Sequence, residues 1–467
     1  MSSVKEFGAI VDGQADDTAA IQHAINDGEG VVDFSKGTYR ITRSLQFDTT
    51  RYGYLGLRGA QGTARLVMAS PGPAVVIRGD HEGTATPSTV AAHTWNGERF
   101  PVVSGLEIVG EHAETDGIML IRTMQATLQN ILVRNCRNGV VLSERNRNFV
   151  LSSSHIYDCH DTGLLFEKCN LHQVIIQGNH ISYCKRAGIR QLDGDVHNIQ
   201  ITGNDIEYNS GSDTDVSGEI VLEAPDGVIS EYTIASNTLQ ATLGARGANV
   251  LILGKIETPA SSVRLIAITG NVLGSRDRNV VVHNGMSVNV TGNTIYGGQT
   301  LNVAFKNCHQ SLVGSNTIAS RPASWASTAR DGLLIEDCNA CMLVGNIHNE
   351  CRYGNALSGG TITIRNSRNI SVSGCQISNS AVRGIDISTS VQCRISDNSL
   401  HNDGQNESLK QAIRIAGKSF RNVVQNNSIV WGGILSTGAS PAGRRPEQEG
   451  VIECPEACGR VLANSIW

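Results

Sequence analysis

Proline is scarce in this chain, at ten residues in 467, while glycine is plentiful at fifty. Proline removes a donor from a strand ladder, so its rarity suits interior strands, and the glycines suit tight corners. Aromatic residues make up only 4%, which leaves few flat rings for stacking against a ligand. No apolar run approaches the roughly 18 residues of a membrane span, so no membrane partner is expected. There is no basic block, and the net charge is −5, which argues against a nucleic-acid partner. The first residues, Met1-Ser2-Ser3-Val4-Lys5-Glu6, have neither the charged start nor the apolar stretch of a secretory signal.

A repeated phrase fills the space left by these absences. Gly178-Asn179-His180-Ile181 returns as Gly203-Asn204-Asp205-Ile206, Gly270-Asn271-Val272-Leu273 and Gly292-Asn293-Thr294-Ile295. Looser copies surround Asn237, Asn316, Asn398, Asn427 and Asn464. The asparagine pairs 179/204, 271/293 and 293/316 are 25, 22 and 23 residues apart. A fixed period of that size marks a solenoid. Within one period the apolar residues alternate, as in Ile156, then Asp158-Cys159, then Gly163-Leu164-Leu165-Phe166, with no 3.6-residue stripe. Short strands with polar or Gly corners describe a parallel β-helix. The asparagines are expected at the corners, in left-handed backbone, with their amides stacked from coil to coil.

The twelve cysteines do not read as a metal framework. Cys136, Cys159 and Cys184 recur at one place on three coils, as a stack of small apolar side chains would. Cys338 and Cys341 form a C-x-x-C with no second pair at zinc-site spacing. Cys454 and Cys458 are expected to be reduced thiols. No metal and no cofactor are expected.

Near the N-terminus, Asp16-Asp17-Thr18 reads as a helix N-cap, and Ala20, Ile21, Ala24 and Ile25 form one apolar helix face. Such a helix covers the open end of a solenoid. Phe7-Gly8-Ala9, Asp12-Gly13, Asp16-Asp17-Thr18, Ala20-Ile21 and Gly37-Thr38-Tyr39 together resemble the entry motif of the pectate-lyase-like right-handed β-helix superfamily. The branch with tailspike depolymerases and exopolygalacturonase-like hydrolases is the most similar. The resemblance implies an all-β, right-handed parallel β-helix with three strands per coil, a carbohydrate substrate and a homotrimer. Residues 1–47 are then the capping segment and 48–467 one elongated β-helix domain. The expected location is the cytoplasm, or outside the cell as part of a phage particle. A polygalacturonase-type Asn-Thr-Asp with a later Gly-His-Gly is missing, as is the Asp-Pro-His-Glu of mannuronan epimerases. A truncated or accessory spike is expected rather than a whole tailspike.

Counting from each corner glycine gives a candidate column of carboxylates: Glu144, Glu167, Asp193 and Glu223. Stacked about 4.8 Å apart, they would shift one another's pKa values, and a carboxyl pair is what glycoside cleavage needs. The expected roles are Glu223 or Glu219 as acid and Asp193 as base or nucleophile. Glu167 and Asp195 would tune pKa values, and Arg190 would orient the substrate. Glu207, Tyr208 and Asp226 are the expected substrate contacts, beside an insertion at 210–217. Trp325 is the best exposed aromatic elsewhere. Asp213 and Asp215 are too few for a calcium site. A solvated face of salt bridges is the plain alternative for the whole cluster. Arg365, Arg383, Arg394 and Arg414 with Asp386 and Asp397 read as a structural ladder. The leading expectation is a glycosidase or depolymerase. A polysaccharide lyase, or a transferase like the inulin fructotransferases, which the stretch from Leu334 to Cys341 faintly resembles, is the alternative. A glycan-binding spike module without catalysis is the third.

Overall fold

The computed structural model describes residues 1–211, 213–256, 262–319, 328–402, 409–431 and 451–466, so Trp325 lies outside the described residues. The chain divides into two compact units, Met1–Leu239 and Gln240–Trp467.

The first unit begins with the helix Thr18–Asp27, which buries Ile21, Ala24 and Ile25 and leaves Ala20 half-exposed. Its capping differs from the expectation. Asp17 occupies the cap position, but its carboxylate accepts instead from Ile10 N and Val11 N at 2.7 and 3.2 Å. Asp16 takes over and accepts from Thr18 N at 3.0 Å. Gln22 fixes the helix to a strand, donating to the Gln46 carbonyl at 3.0 Å and accepting its N–H at 2.9 Å.

Parallel coils follow, each with three strand segments. In-register sets are Leu164, Ile189 and Ile220, then Val174, Ile199 and Tyr232, then Ile156, Ile181 and Ile206. All nine are at most 1% exposed, so period-2 alternation gives each coil a continuous apolar interior. Cys136, Cys159 and Cys184 are buried in this interior, and all twelve cysteines are free.

The asparagines stack as expected, though not in left-handed backbone. That conformation belongs to the residue before each one, Gly178 and Gly203 at φ 64° and Ser236 at φ 56°. The sharp turn there lets the next amide point inward. Asn179 donates to Asn204 and Asn204 to Asn237, each at 3.0 Å, and each Oδ1 also accepts the backbone N–H of the preceding coil. His155 and His180 are not at that corner. They lie one residue later, in register with Asp205 at the start of the next strand, and Ser154 takes the corner.

The second unit repeats the scheme. Asn271, Asn293, Asn316 and Asn346 form one ladder, and Asn398, Asn427 and Asn464 another. A further ladder runs through Asn249, Asn279, Asn302 and Asp331. Arg414 pairs with buried Asp386 at 2.7 Å, the structural role expected of the later arginines. Arg383 instead donates to the loop carbonyls of Asn355, Ala356 and Gly359. One interior position is anomalous. His348 stacks between Ile318 and Ile377, is fully buried, and has no partner at either ring nitrogen. Among the described residues no helix is long and apolar enough to cross a membrane.

Replacing Asn204 by Ala orphans the buried donors of Asn179 and is expected to destabilise the chain by about 2–4 kcal/mol, read by denaturant unfolding. His348 behaves in the opposite way. Burial pushes its pKa down to about 4 from the ordinary 6.5. The unfolded chain therefore takes up a proton first, and stability falls as pH drops from 6.5 to 4, by about 3 kcal/mol from this group. His348→Ile is expected to stabilise the protein at pH 7 and to flatten that acid slope in unfolding midpoints between pH 4 and 7.

Candidate active site

The sheet-borne carboxylates do not form one column. The register runs Ser143, Glu167, Leu192, Glu223, so Glu167 and Glu223 stand two coils apart with a leucine between them. Glu144 and Asp193 lie one residue further on, in left-handed corners at φ 59°, together with Arg122 and Lys168. The corner therefore alternates in charge: Arg122, Glu144, Lys168, Asp193. The count from glycine failed twice: Gly163 is in register with Gly139 and Gly188, so Glu167, four residues on, falls one short of Glu144 and Asp193, five on; and Gly218 pairs with Ala187 rather than with Gly188. One residue of slip moves a side chain to a different face.

The expected site residues separate accordingly. Glu223 is held by Arg190, Oε2 to Nε at 2.7 Å, and Arg190 is itself buried. Asp193 Oδ1 accepts the Asp226 N–H at 3.2 Å. Glu219 is fully buried and accepts from Asn209 N at 3.2 Å and Asn209 Nδ2 at 2.5 Å, so it faces the coil interior and not a substrate. Glu207 and Tyr208 belong to the other sheet, away from the strand that carries Asp195. There the rings of Tyr183 and Tyr208 stack at 5.9 Å. Burial and the adjoining Asp205 push the Glu207 carboxyl up to about 7. Asp213 and Asp215 are both exposed.

A different group converges on the segment 79–99, which leaves the strand ladder of the first unit between Gly72–Arg78 and Val102–Ser104. It contains a π-helical turn, Thr94–Glu98. Glu98 is only 5% exposed; its Oε2 accepts the Asp80 N–H at 2.8 Å. Glycine at 79 makes room, since a Cβ there would lie 3.0 Å from that Oε2 and 2.7 Å from the Arg122 carbonyl oxygen. Asp80 is bonded to His93 Nε2 at 2.5 Å and to Thr94 Oγ1 at 3.0 Å. Burial, with the Asp80 charge beside it, raises the Glu98 pKa. Burial also acts upward on Asp80, but the hydrogen bonds from its neighbours, His93 foremost, bring it below the carboxylate norm. Two adjacent carboxyls are thus pushed apart, which is how an acid and a base are made from the same chemistry. The ligand atoms of Asp80, His93 and Glu98 lie within 4.8 Å of one another, the one such trio among the described residues. It is a donor set a divalent cation accepts, although His93 already fills its role on Asp80.

The segment rests on a patterned face. Between the two corners of each coil lie three residues whose middle member is buried: 145–147, 170–172 and 195–197. The outward members form two rows: Arg145, Asn170, Asp195 and Arg147, His172, His197. Arg145 Nη1 donates to Asn170 Oδ1 at 3.0 Å, and Asn170 Nδ2 to Asp195 Oδ2 at 3.1 Å. His197 Nε2 meets Asp195 Oδ1 at 2.7 Å, and His172 and His197 stack at 5.1 Å. Arg145 and Arg147 donate to the carbonyls of Gly83 and Thr84, which fastens the segment to the face. Beyond the next corner is a groove of about 500 Å³ lined by Gln125, Asn148, Gln173 and Asn198, with Phe100 and Ile175 exposing 60% and 37% of their surface. Amides beside apolar surface suit the hydroxyls and C–H faces of a sugar. Of the residues expected from sequence, only Asp195 belongs to this face. The sequence carried no local signal for the rest, since the repeated phrase begins only at Gly178.

Residues 93–251 and 278–442, more than half of the chain, match the family model described as the right handed beta helix region. Residues 1–94 match one described as rhamnogalacturonase A/epimerase, pectate lyase-like. No curated protein matches the chain in sequence. In structure it is similar to tailspike protein 3 of bacteriophage CBA120, at 13% identity and a TM-score of 0.54, over 96% of this chain and 65% of that one. It is also similar to the Dettilon tailspike protein, at 16% identity and a TM-score of 0.45, over 80% of this chain and 66% of that one. The chain therefore spans just under two thirds of the length of either tailspike. These likenesses are of fold.

Glu207 gives a pH test of the second face. Its folded pKa of about 7 lies above the ordinary 4.5, so the stability it contributes is lost as pH rises from 4.5 to 7. Glu207→Gln is expected to raise the melting temperature by about 2 °C at pH 8 and to leave it unchanged at pH 4, measured by calorimetry.

Proposed function

We propose that this chain, which belongs to the right-handed β-helix family, cleaves a glycosidic bond of a poly- or oligosaccharide with the Asp80–Glu98 pair as its proton donor. The observation that carries the reading is the opposite displacement of these two adjacent carboxyls, on a segment held over the Arg–His–Asp face and beside the groove. Of the two, Glu98, whose carboxyl is raised, holds a proton more tightly than Asp80, whose carboxyl is lowered. Glu98 carries the proton and passes it to Asp80, the more exposed member, which delivers it to the glycosidic oxygen as the bond to the leaving sugar breaks; Glu98 is left as the carboxylate. His93 and Thr94 orient Asp80. On the face below, Asp195, held by His197, takes the proton of the attacking water. An acid at the leaving oxygen and a separate base that activates a water on the opposite face of the sugar correspond to inversion at the anomeric carbon. The groove holds the flanking sugars.

A second reading keeps the glycan and makes His197, paired with Asp195, the base of a β-elimination; the 2.7 Å His–Asp bond favours it. Of the carboxylates expected from sequence, Asp193 and Glu223 then hold neighbouring coils, and Glu167 is exposed. The superfamily resemblance and the tailspike likeness support a glycan partner, a homotrimer and a place on a phage particle, and light scattering on the purified chain tests the trimer.

The deciding assay follows new reducing ends on a panel of bacterial and plant polysaccharides and fructans. Asp80→Asn, Glu98→Gln and Asp195→Asn are each expected to lower kcat by about 100-fold or more with folding intact. Glu98→Gln should also remove the alkaline limb of the pH profile, and product NMR should show inversion. Asp193→Asn and Glu223→Gln should keep turnover. Loss of activity in those two variants alone would return the site to the sheet. An ultraviolet-absorbing product would establish elimination. Glycan binding without turnover in the wild type would leave a spike module.

A further inference from the structure

Arg147 is a cation without a counter-charge. It is only 4% exposed, yet its recorded partners are neutral: the Thr84 carbonyl and Asn148 Oδ1. Arg145 beside it bonds the Gly83 carbonyl and Asn170. Neither arginine forms an ion pair among the described residues. The surrounding carboxylates are committed elsewhere: Asp195 to His197 and Asn170, Asp80 to His93 and Thr94, Glu144 and Glu82 to Arg122. A buried charge left unpaired is costly, and proteins usually pair it.

Two more unsatisfied groups lie in the same place. His81, the residue after Asp80, is 2% exposed, and its Nδ1 has no partner. His172, in register with Arg147 on the neighbouring strand, also has an unpartnered buried Nδ1. Arg145 and Arg147 bond the carbonyls of Gly83 and Thr84, two and three residues beyond His81, and Arg147 is in register with His172, which brings the four side chains together; burial foremost, and the two arginine charges with it, disfavours protonation of both rings. A neutral imidazole whose Nδ1 carries the hydrogen is a donor, so the pocket offers N–H groups and positive charge with little to receive them.

We infer that Arg145, Arg147, His81 and His172 form a pocket for one oxyanion, a carboxylate, sulfate or phosphate group, beneath the segment 79–99. The chemistry is planar guanidinium against an oxyanion, which Arg suits better than Lys. The inference is independent of the reaction at Asp80 and Glu98, because it concerns binding alone.

Thermal unfolding of the full chain tests it, in low-salt buffer titrated with sodium sulfate or sodium phosphate and, separately, with glucuronate or a sulfated monosaccharide. A saturable rise in melting temperature of several degrees at low millimolar anion is expected for the wild type. Saturation separates site binding from the general stabilisation that sulfate gives by exclusion from protein surfaces. Arg147→Gln should weaken the response at least tenfold. Arg145→Gln, at a half-exposed position, should do the same and serves if the first variant does not fold. Arg134→Gln, whose arginine pairs with Glu107 on the other sheet, should leave it unchanged. A sugar-borne anion saturating below the matching inorganic ion identifies a substituent of the glycan, and the reverse order identifies a free ion; either supports the pocket. No saturable shift in the wild type, or a shift retained in both arginine variants, would overturn it.

Discussion

Parallel stacking in register is the constraint on which the rest of this molecule depends. Each residue has as its nearest lateral neighbour the equivalent residue of the next coil, about 4.8 Å away. Apolar side chains gain from that repetition, and so do amides, because an asparagine both donates and accepts. Charges do not, since like charges at that spacing repel. The corners of the first unit resolve the conflict by alternating Arg122, Glu144, Lys168 and Asp193. In the second unit, Arg414 stacked on Asp386 resolves it by direct pairing.

The same constraint explains where chemistry can be assembled. A face built of equivalent positions offers rows of similar groups and few convergent ones. Convergence needs a segment that leaves the ladder and returns over a face, as 79–99 does where Arg145 and Arg147 hold it. There the repeat is a help: it lays down two rows of outward side chains at fixed spacing, and the segment supplies the groups the rows cannot. Glycine at 79 and the arginine bonds to Gly83 and Thr84 determine how closely the two approach.

Much of the fold was legible because stacking writes itself into the sequence as a period. The phrase around Asn179 and Asn204 identified the corner, the alternation around Leu164 and Phe166 identified the strands, and the resemblance of residues 7–39 added the class. What was lost was register. Counting from Gly139, Gly163, Gly188 and Gly218 assumed four equivalent glycines, and the last is displaced by one. That displacement sent Glu219 inside, and together with the shorter step from Gly163 to Glu167 it left Leu192 between two glutamates. The candidate site was less legible for a different reason. Glu98 owes its raised pKa to burial under a non-repeating segment and to a carboxylate 18 residues away in sequence, and neither leaves a local pattern.

Two carboxyl pairs in the first unit carry a raised member, Asp80 with Glu98 and Asp205 with Glu207. Electrostatics alone therefore does not select a site. Asp205 and Glu207 are neighbours along one strand, two residues apart and on one side of it, so their repulsion follows from the pleat itself. Tyr183 and Tyr208 extend that face as a stack. Asp80 and Glu98 are instead brought together by folding a segment upon itself, and the segment spends hydrogen bonds to do so: the Asp80 N–H on Glu98, His93 and Thr94 on Asp80, Arg145 and Arg147 on its carbonyls. A pair that exists because strands alternate is a by-product of the fold. A pair that exists because several separate contacts hold it, at the rim of a groove, is an arrangement the fold does not otherwise require, and that is the physical ground for reading the chemistry there.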